Sequence, residues 1–208
     1  MSRRAACAES YRAEDAARFD ALDPSVIHGE FLRLAAPTGW RGRNVLDVGA
    51  GSGRDARLLA ERGARVTAAE PSPQLRDVGA AHCAPGVDWI DDALPGLTSL
   101  GGRCAAFDIV WCSAVWHHLS PRERRDAMTR IASLLRPAGR FFLSLRHGPA
   151  PAGRIAFPCD APSEIASARC AGLRLVRLRR VPSVQEWNRA NGVQWTRLLF
   201  RKTAVGAP

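Results

Sequence analysis

The sequence predicts a doubly wound, Rossmann-like α/β domain: a seven-stranded, mostly parallel sheet with an antiparallel last strand and helices on both faces. Three observations carry this. Short β-branched runs alternate with helical patterns at the spacing of βαβ units, which demands a parallel sheet. The first strand runs straight into a glycine cluster that opens a helix, Val45-Leu-Asp-Val-Gly49-Ala-Gly51-Ser-Gly53-Arg54-Asp55. The last two strands are joined only by Pro182 to Gly192, which reads as a connecting loop too short to hold a crossover helix, so they pair antiparallel.

The elements follow in order. Tyr11 to Leu22 and Pro24 to Leu34 place apolar residues at helical spacing, and Pro37 with Gly39 ends the second helix. Arg43 to Val48 is the first strand, and Asp55 to Arg62 a helix stopped by Gly63. Ala64 to Ala69 is the second strand, Ser72 to Ala81 a helix, and Val87 to Ile90 a third strand closed by Asp91 and Asp92. Phe107 to Ser113 reads as a fully buried fourth strand. Ser120 and Glu123 form a capping box around Pro121, opening a helix that runs to about Arg136, where Pro137 and Gly139 cut it. Arg140 to Leu145, Leu173 to Val181 and Val193 to Arg201 complete the strands, with a helix over Pro162 to Ala171.

Length and composition fit one domain over residues 1–208, because single cores stop growing only at roughly 250 residues. Within it, 1–40 hold the leading cap helices, 41–147 the ligand-binding core and 148–208 a C-terminal helix and strand pair. A hydrophobic fraction of 46% with 24% charged residues excludes disorder, collagen and coiled coil. No run approaches the roughly 18 apolar residues of a membrane span. Met1 to Ser10 lacks the apolar stretch of a secretory signal, so cytoplasmic residence is expected. Six scattered cysteines without a C-x-x-C pair argue against a disulfide framework and a metal site, and read mostly as buried thiols. The net charge of +10 is uneven: residues 1–119 hold 13 basic and 15 acidic groups, whereas 120–208 hold 17 and 5, a net of +12. Lys202 is the only lysine, a skew that looks like codon bias more than a selected basic patch.

Glycines at a first strand-to-helix turn let the backbone approach a ligand, and the helix start offers unpaired N–H groups, which together suit a nucleotide-like molecule. The dinucleotide fingerprint needs G-x-G-x-x-G, and Arg54 stands where its last glycine would fall. Glu70, at the end of the second strand, is placed to accept both hydroxyls of a ribose, and Asp92, after the third, to meet an exocyclic amino group of adenine. Three histidines lie beyond strand ends on the ligand side of such a sheet: His117 and His118 after the fourth, His147 after the fifth. Arg146 offers a planar fork for a substrate carboxylate, and Trp187, in the loop after the sixth strand, an aromatic wall.

In this order VLDVGAGSGRD, VTAAEPS, DDALPGL, FDIVWCSAVWHHL and LLRPAGRFFLS resemble the class I S-adenosylmethionine-dependent methyltransferases, over roughly residues 40 to 147. The resemblance implies S-adenosyl-L-methionine as cofactor and S-adenosyl-L-homocysteine as product. It implies that Asp47 orders the glycine loop, and that Gly49, Ala50, Gly51 and Gly53 pack against the methionine portion. Glu70 with Pro71 would hold the ribose, Asp92 and Ala93 the adenine, and Ser113 would flank the sulfonium. Tyr11 and Phe19 are the candidates for an aromatic cover from the leading helices.

Methyl transfer from a sulfonium needs in-line alignment, and a base only where the acceptor must lose a proton. His118 and His147 are the candidates for that base, with His117, Arg146 and Trp187 as substrate contacts. The branches that methylate amino groups of bases carry an N-P-P-Y or D-P-P-Y tetrad where Ser113-Ala-Val-Trp116 stands, and no acidic metal-binding pair follows it, so no metal is expected. The expected activity is methylation of an oxygen or nitrogen on a small molecule, anionic or of natural-product type, by a monomer or homodimer without membrane partners. Two competitors remain: an RNA or other macromolecular substrate docked by the basic C-terminal half, and a regulatory protein that binds the cofactor without turnover.

Overall fold

The computed structural model describes residues 10–83, 85–150 and 153–203; Cys7 and the rest of the leader stretch 1–9 lie outside them. Among the described residues two helices come first, α1 (Ala13–Asp20) and α2 (Pro24–Ala35). Asp23 caps the second by accepting from the Ser25 N–H at 2.7 Å, and Pro24 fills the first helical position, where no N–H is missed. There follow β1 (Asn44–Val48), α3 (Arg54–Glu61), β2 (Arg65–Ala69), α4 (Pro73–His82) and β3 (Val87–Ile90). The chain then forms β4 (Phe107–Cys112), α5 (Pro121–Leu134), β5 (Leu135–His147), α6 (Ala161–Cys170), β6 (Leu173–Pro182), α7 (Glu186–Ala190) and β7 (Gln194–Lys202).

All seven strands share one sheet in the order β3-β2-β1-β4-β5-β7-β6. The first five in that order are mutually parallel, and β7 runs antiparallel to both neighbours, as the sequence predicts. The chain steps outward from β1 to β3 and then returns to lay β4 against the other side of β1. Strand order therefore reverses between β1 and β4, which opens a crevice at their carboxyl ends. Period-two alternation splits the core into two layers. Leu46, Val110, Phe141, Leu143 and Phe200 pack with Met128 and Ile131 of α5 on one face. On the other, Val45, Ile109, Trp111, Phe142 and Leu199 meet Phe31 and Leu32 of α2 and Leu59 of α3. Trp111 stacks on Phe142 with ring centroids 3.9 Å apart, tying β4 to β5 beneath α2.

Three local expectations are corrected. The strand β5 begins at Leu135, not Arg140: Pro137 bars the helical conformation from the residue before it, and Leu135 pairs with Phe107 across a bulge. The connection after β6 holds the short helix α7 where the sequence suggested only a loop. Of the described cysteines, Cys112 and Cys159 are buried and Cys83 is half-buried, but Cys104 and Cys170 are exposed. At the sheet edge, β6 carries arginines that blunt pairing with another chain, and Arg177 and Arg179 reach Glu30 of α2 at 2.7 and 3.3 Å. Among the described residues no helix is long and apolar enough to cross a membrane.

Candidate active site

The crevice is built first by the turn after β1. Gly49, Gly51 and Gly53 all have positive φ (67°, 59° and 80°), a conformation that costs a side-chain-bearing residue and lets the backbone curl under the crevice. The N–H groups of Gly49 and Ala50 bond back to the Ala69 carbonyl at 2.8 and 3.2 Å, and the Gly51 N–H donates to Glu70 Oε2 at 2.8 Å. The other Glu70 oxygen accepts the Ser72 N–H at 2.8 Å, so one carboxylate clamps the β1 and β2 turns together. Burial raises the Glu70 pKa, against the lowering effect of those two backbone bonds and Arg76.

Asp47, the last inward-facing polar group of β1, is buried beneath this loop, and its Oδ2 has no hydrogen-bond partner among the described residues. Burial first, then the like charge of Asp55, push its pKa well above the usual carboxylate range. A buried carboxylate with one oxygen left unpartnered destabilises the protein that holds it. Asp47→Asn is therefore expected to raise the melting temperature of the ligand-free protein by a few degrees, on the order of 1 kcal/mol. Scanning calorimetry showing an unchanged or lower temperature would contradict this.

The far wall comes from the loops after β3 and β4. Ala93, Leu94, Ser113, Ala114 and Val115 line the crevice, and Ala114, at φ 61°, is held by its N–H donating to the buried Ser144 Oγ at 2.7 Å. The 3-10 turn Trp116–His118 then brings His118 to the rim. Its Nδ1 lies 2.7 Å from the Ile155 carbonyl and its Nε2 3.1 Å from the Tyr11 hydroxyl. A carbonyl only accepts, so Nδ1 carries the proton and Nε2 presents a lone pair toward Tyr11. Burial is the main cause that lowers the His118 pKa, with Arg154 and Arg146 adding to it, so the ring is neutral at pH 7.

A roof partly covers the space. Tyr11 and Phe19 descend from the leading segment, and a glycine Cβ at position 51 would stand 3.8 Å from the Phe19 ring. Arg154 sits 4.0 Å from the Tyr11 ring centroid and 2.8 Å from Asp15 of α1, joining the loop before α6 to the first helix. The cavity measures about 200 Å³ and is open on one side. Among the described residues, no cluster of side chains suits a metal ion.

Of the residues singled out by sequence, Tyr11, Phe19, Asp47, Gly49, Ala50, Gly51, Glu70, Pro71, Ala93, Ser113 and His118 line this cavity together. The others do not. Gly53 faces away: a Cβ there would meet Cys83 Sγ and the Trp89 ring, each at 2.9 Å. Asp92 is fully buried and turned into its own loop, accepting from the Ala93 and Ser99 N–H groups at 2.8 and 2.7 Å. His117 lies behind His118, its ring 4.1 Å away, and burial drives its pKa well down. Arg146 donates to the Pro149 carbonyl, His147 bonds Thr196 Oγ1 at 2.8 Å, and Trp187 on α7 is 66% exposed. Sequence reading missed Arg54, Leu119, Glu123 and Ile155, all of which line the cavity. For Arg54 a signal existed, since the first residue of a helix that follows a glycine turn must face whatever the turn holds.

Residues 45–139 match the family model described as "Methyltransferase domain". Over that segment the chain is similar to methyltransferase domains. Two curated relatives are similar to it, both named ubiquinone biosynthesis O-methyltransferase. The protein from Methylocella silvestris is 34% identical over 107 residues, 51% of this chain and 41% of the relative. The one from Xanthomonas campestris is 33% identical over 125 residues, 60% of this chain and 50% of the relative. The matches thus span about half the length of these relatives or less. Among solved structures, the 1,6-didemethyltoxoflavin-N1-methyltransferase of Burkholderia thailandensis superposes with a TM-score of 0.70 at 26% identity, over 92% of this chain and 84% of that one. The magnesium protoporphyrin IX methyltransferase of Synechocystis shares the fold, with a TM-score of 0.67 at 19% identity over 92% and 84%. The matched segment spans β1 to the start of β5, and so includes the glycine turn, Glu70 and His118, whereas Tyr11, Arg154 and Ile155 lie outside it.

Proposed function

We propose that this chain binds S-adenosylmethionine in the cavity and transfers its methyl group to an oxygen or nitrogen of a small molecule. The observation that carries the reading is His118, a neutral imidazole whose Nε2 lone pair is fixed at the rim of the cavity that the glycine turn floors. The donor set fits the cofactor. Glu70 keeps two of the roughly four lone-pair positions of its carboxylate for ribose hydroxyls after serving Gly51 and Ser72. Asp47 Oδ2 is an orphaned acceptor suited to the cationic amino-acid end, and Arg54, at the first turn of α3, is suited to its carboxylate. The apolar walls Phe19, Leu75, Leu94 and Val115 exclude water from the adenosyl moiety.

The bound cofactor supplies a methyl group on a sulfonium with a neutral leaving group. The protein has then to align the acceptor and, for a hydroxyl or protonated amine, to remove its proton; His118 Nε2 is the group positioned to take it. The roof of Tyr11, Phe19 and Ile155 favours a small acceptor, in keeping with the small-molecule activities named for the relatives. Arg174, Arg177, Arg179, Arg180, Arg197 and Arg201, six of the seventeen basic residues of the C-terminal half, lie on β6 and β7 and do not line the cavity, which weighs against a nucleic-acid substrate. Calorimetric titration is expected to give micromolar binding of S-adenosylmethionine and none of NAD. Labelled methyl transfer to a panel of phenols and nitrogen heterocycles then identifies the acceptor class. A preference for NAD would overturn the cofactor reading, and cofactor binding without turnover on any acceptor would favour the regulatory alternative.

A further inference from the structure

We propose that His28 of α2 is a positioning residue that acts through Asp55 to hold Arg54 at the cavity, and so sets how tightly the amino-acid carboxylate of an adenosyl ligand is bound. The inference rests on the cofactor reading above. It starts from a buried imidazole that the methyl-transfer chemistry does not use. His28 is 2% exposed, packed edge-on against Trp111 and Phe142 with ring centroids 5.2 Å away in both cases, and neither ring nitrogen makes an aligned hydrogen bond among the described residues. Packing alone would be served better by an apolar ring, which leaves no nitrogen stranded. What a histidine adds at this place is a nitrogen beside Asp55: Nε2 lies 2.9 Å from Asp55 Oδ2.

Asp55 is the hub. Its Oδ2 accepts a hydrogen bond from Trp111 Nε1 at 3.0 Å and is held in close contact by His28 Nε2, so one oxygen is gripped from β4 and from α2. The other, Oδ1, accepts from Arg54 Nε at 2.8 Å. Two contacts on Oδ2 fix the carboxylate plane, and that plane fixes the guanidinium fork bonded to Oδ1. Arg54 Nη1 is further steadied 3.5 Å from the Phe19 carbonyl, and Nη2 makes no other hydrogen bond among the described residues, in a side chain that lines the cavity. Burial is the main cause holding the His28 pKa below its usual value, against the raising effect of the Asp55 carboxylate beside it. Asp55 itself is held far below the usual carboxylate range, against the opposing effect of burial, by His28 and Arg54.

The test compares two ligands on the full chain: S-adenosylhomocysteine, which carries the carboxylate, and 5′-methylthioadenosine, which lacks the amino-acid portion. His28→Phe keeps the ring packing and removes the contact with Asp55. It is expected to weaken S-adenosylhomocysteine by about five- to tenfold and 5′-methylthioadenosine by less than about twofold. His28→Gln, which restores an N–H toward Asp55, is expected to recover most of the loss. Should His28→Phe fail to fold, Trp111→Phe removes the second donor on Oδ2 and carries the same expectation. Equal weakening of both ligands, or no change in either, would reduce His28 to packing and overturn the inference. Wild-type protein that binds neither ligand would overturn the cofactor reading, and this inference with it.

Discussion

Replacing Glu70 with alanine is expected to weaken S-adenosylmethionine binding by about a hundredfold or more, beyond detection in an ordinary titration. Three losses combine. The Gly51 and Ser72 N–H groups, each 2.8 Å from a carboxylate oxygen, lose their acceptor in a buried site, at about 1–3 kcal/mol for each group left unpaired. The Gly51 turn, released from β2, no longer holds the floor of the cavity in its positive-φ shape. The ribose hydroxyls lose a charged acceptor, worth about 1.5–3 kcal/mol. Glu70→Gln separates these effects: the amide keeps the volume and one acceptor but presents N–H to a backbone N–H or a hydroxyl, so an intermediate loss is expected.

The pH dependence carries a definite sign. The Glu70 pKa is raised by burial, so on acidification the carboxylate protonates earlier than an exposed glutamate and affinity falls as pH drops through that raised value. In Glu70→Gln the part of this acid limb that Glu70 contributes should vanish, leaving the part set by the raised pKa of Asp47. A Glu70→Ala protein that binds within about threefold of wild type would remove the β2 carboxylate from the site.

What the sequence disclosed divides along a physical line. The strand, the three-glycine turn and the helix after it are contiguous, and Glu70 follows one crossover later, so local pattern alone brought Asp47, Gly49, Gly51 and Glu70 to one place. The parallel sheet and its antiparallel last strand were legible too, since connection length decides direction, but the strand order was not read from the sequence. Side chains at the ends of later strands were not. Arg146 and His147 are adjacent on β5 and point to opposite faces, and which face meets the crevice depends on pairing with β7: His147 lies opposite Gln194 and bonds Thr196. Asp92 carries the residue type for an adenine contact, but two N–H groups of its own loop claim it first. The tautomer of His118 is set by the carbonyl of Ile155, thirty-seven positions away, and a backbone acceptor leaves no mark in sequence. Arg54, noticed as the absence of a glycine, acquires a role only when Asp55, Trp111 and His28 are seen around it.

Replacing His118 with alanine is expected to lower kcat by about 10²- to 10⁴-fold while cofactor affinity stays within a few-fold, the pattern of a lost base. Because the His118 pKa lies below the usual value, mainly through burial, the ring is already neutral at pH 7. The wild-type rate should then be flat through neutrality and fall only as pH drops through that lowered pKa, and the acid limb should be absent in the variant. A parallel loss of cofactor affinity and rate would instead mark His118 as a strut for the loop that carries Ile155. The Tyr11 hydroxyl discriminates further, because it faces the same Nε2 lone pair at 3.1 Å. If the acceptor displaces it, Tyr11→Phe vacates the lone pair and costs about tenfold or less through weaker closure of the roof. We expect that outcome, since Tyr11 lines the cavity beside His118 and both are open to an entering acceptor. A loss as deep as that of His118→Ala would mean that the proton reaches the imidazole through the tyrosine hydroxyl, and that the two residues act as one base.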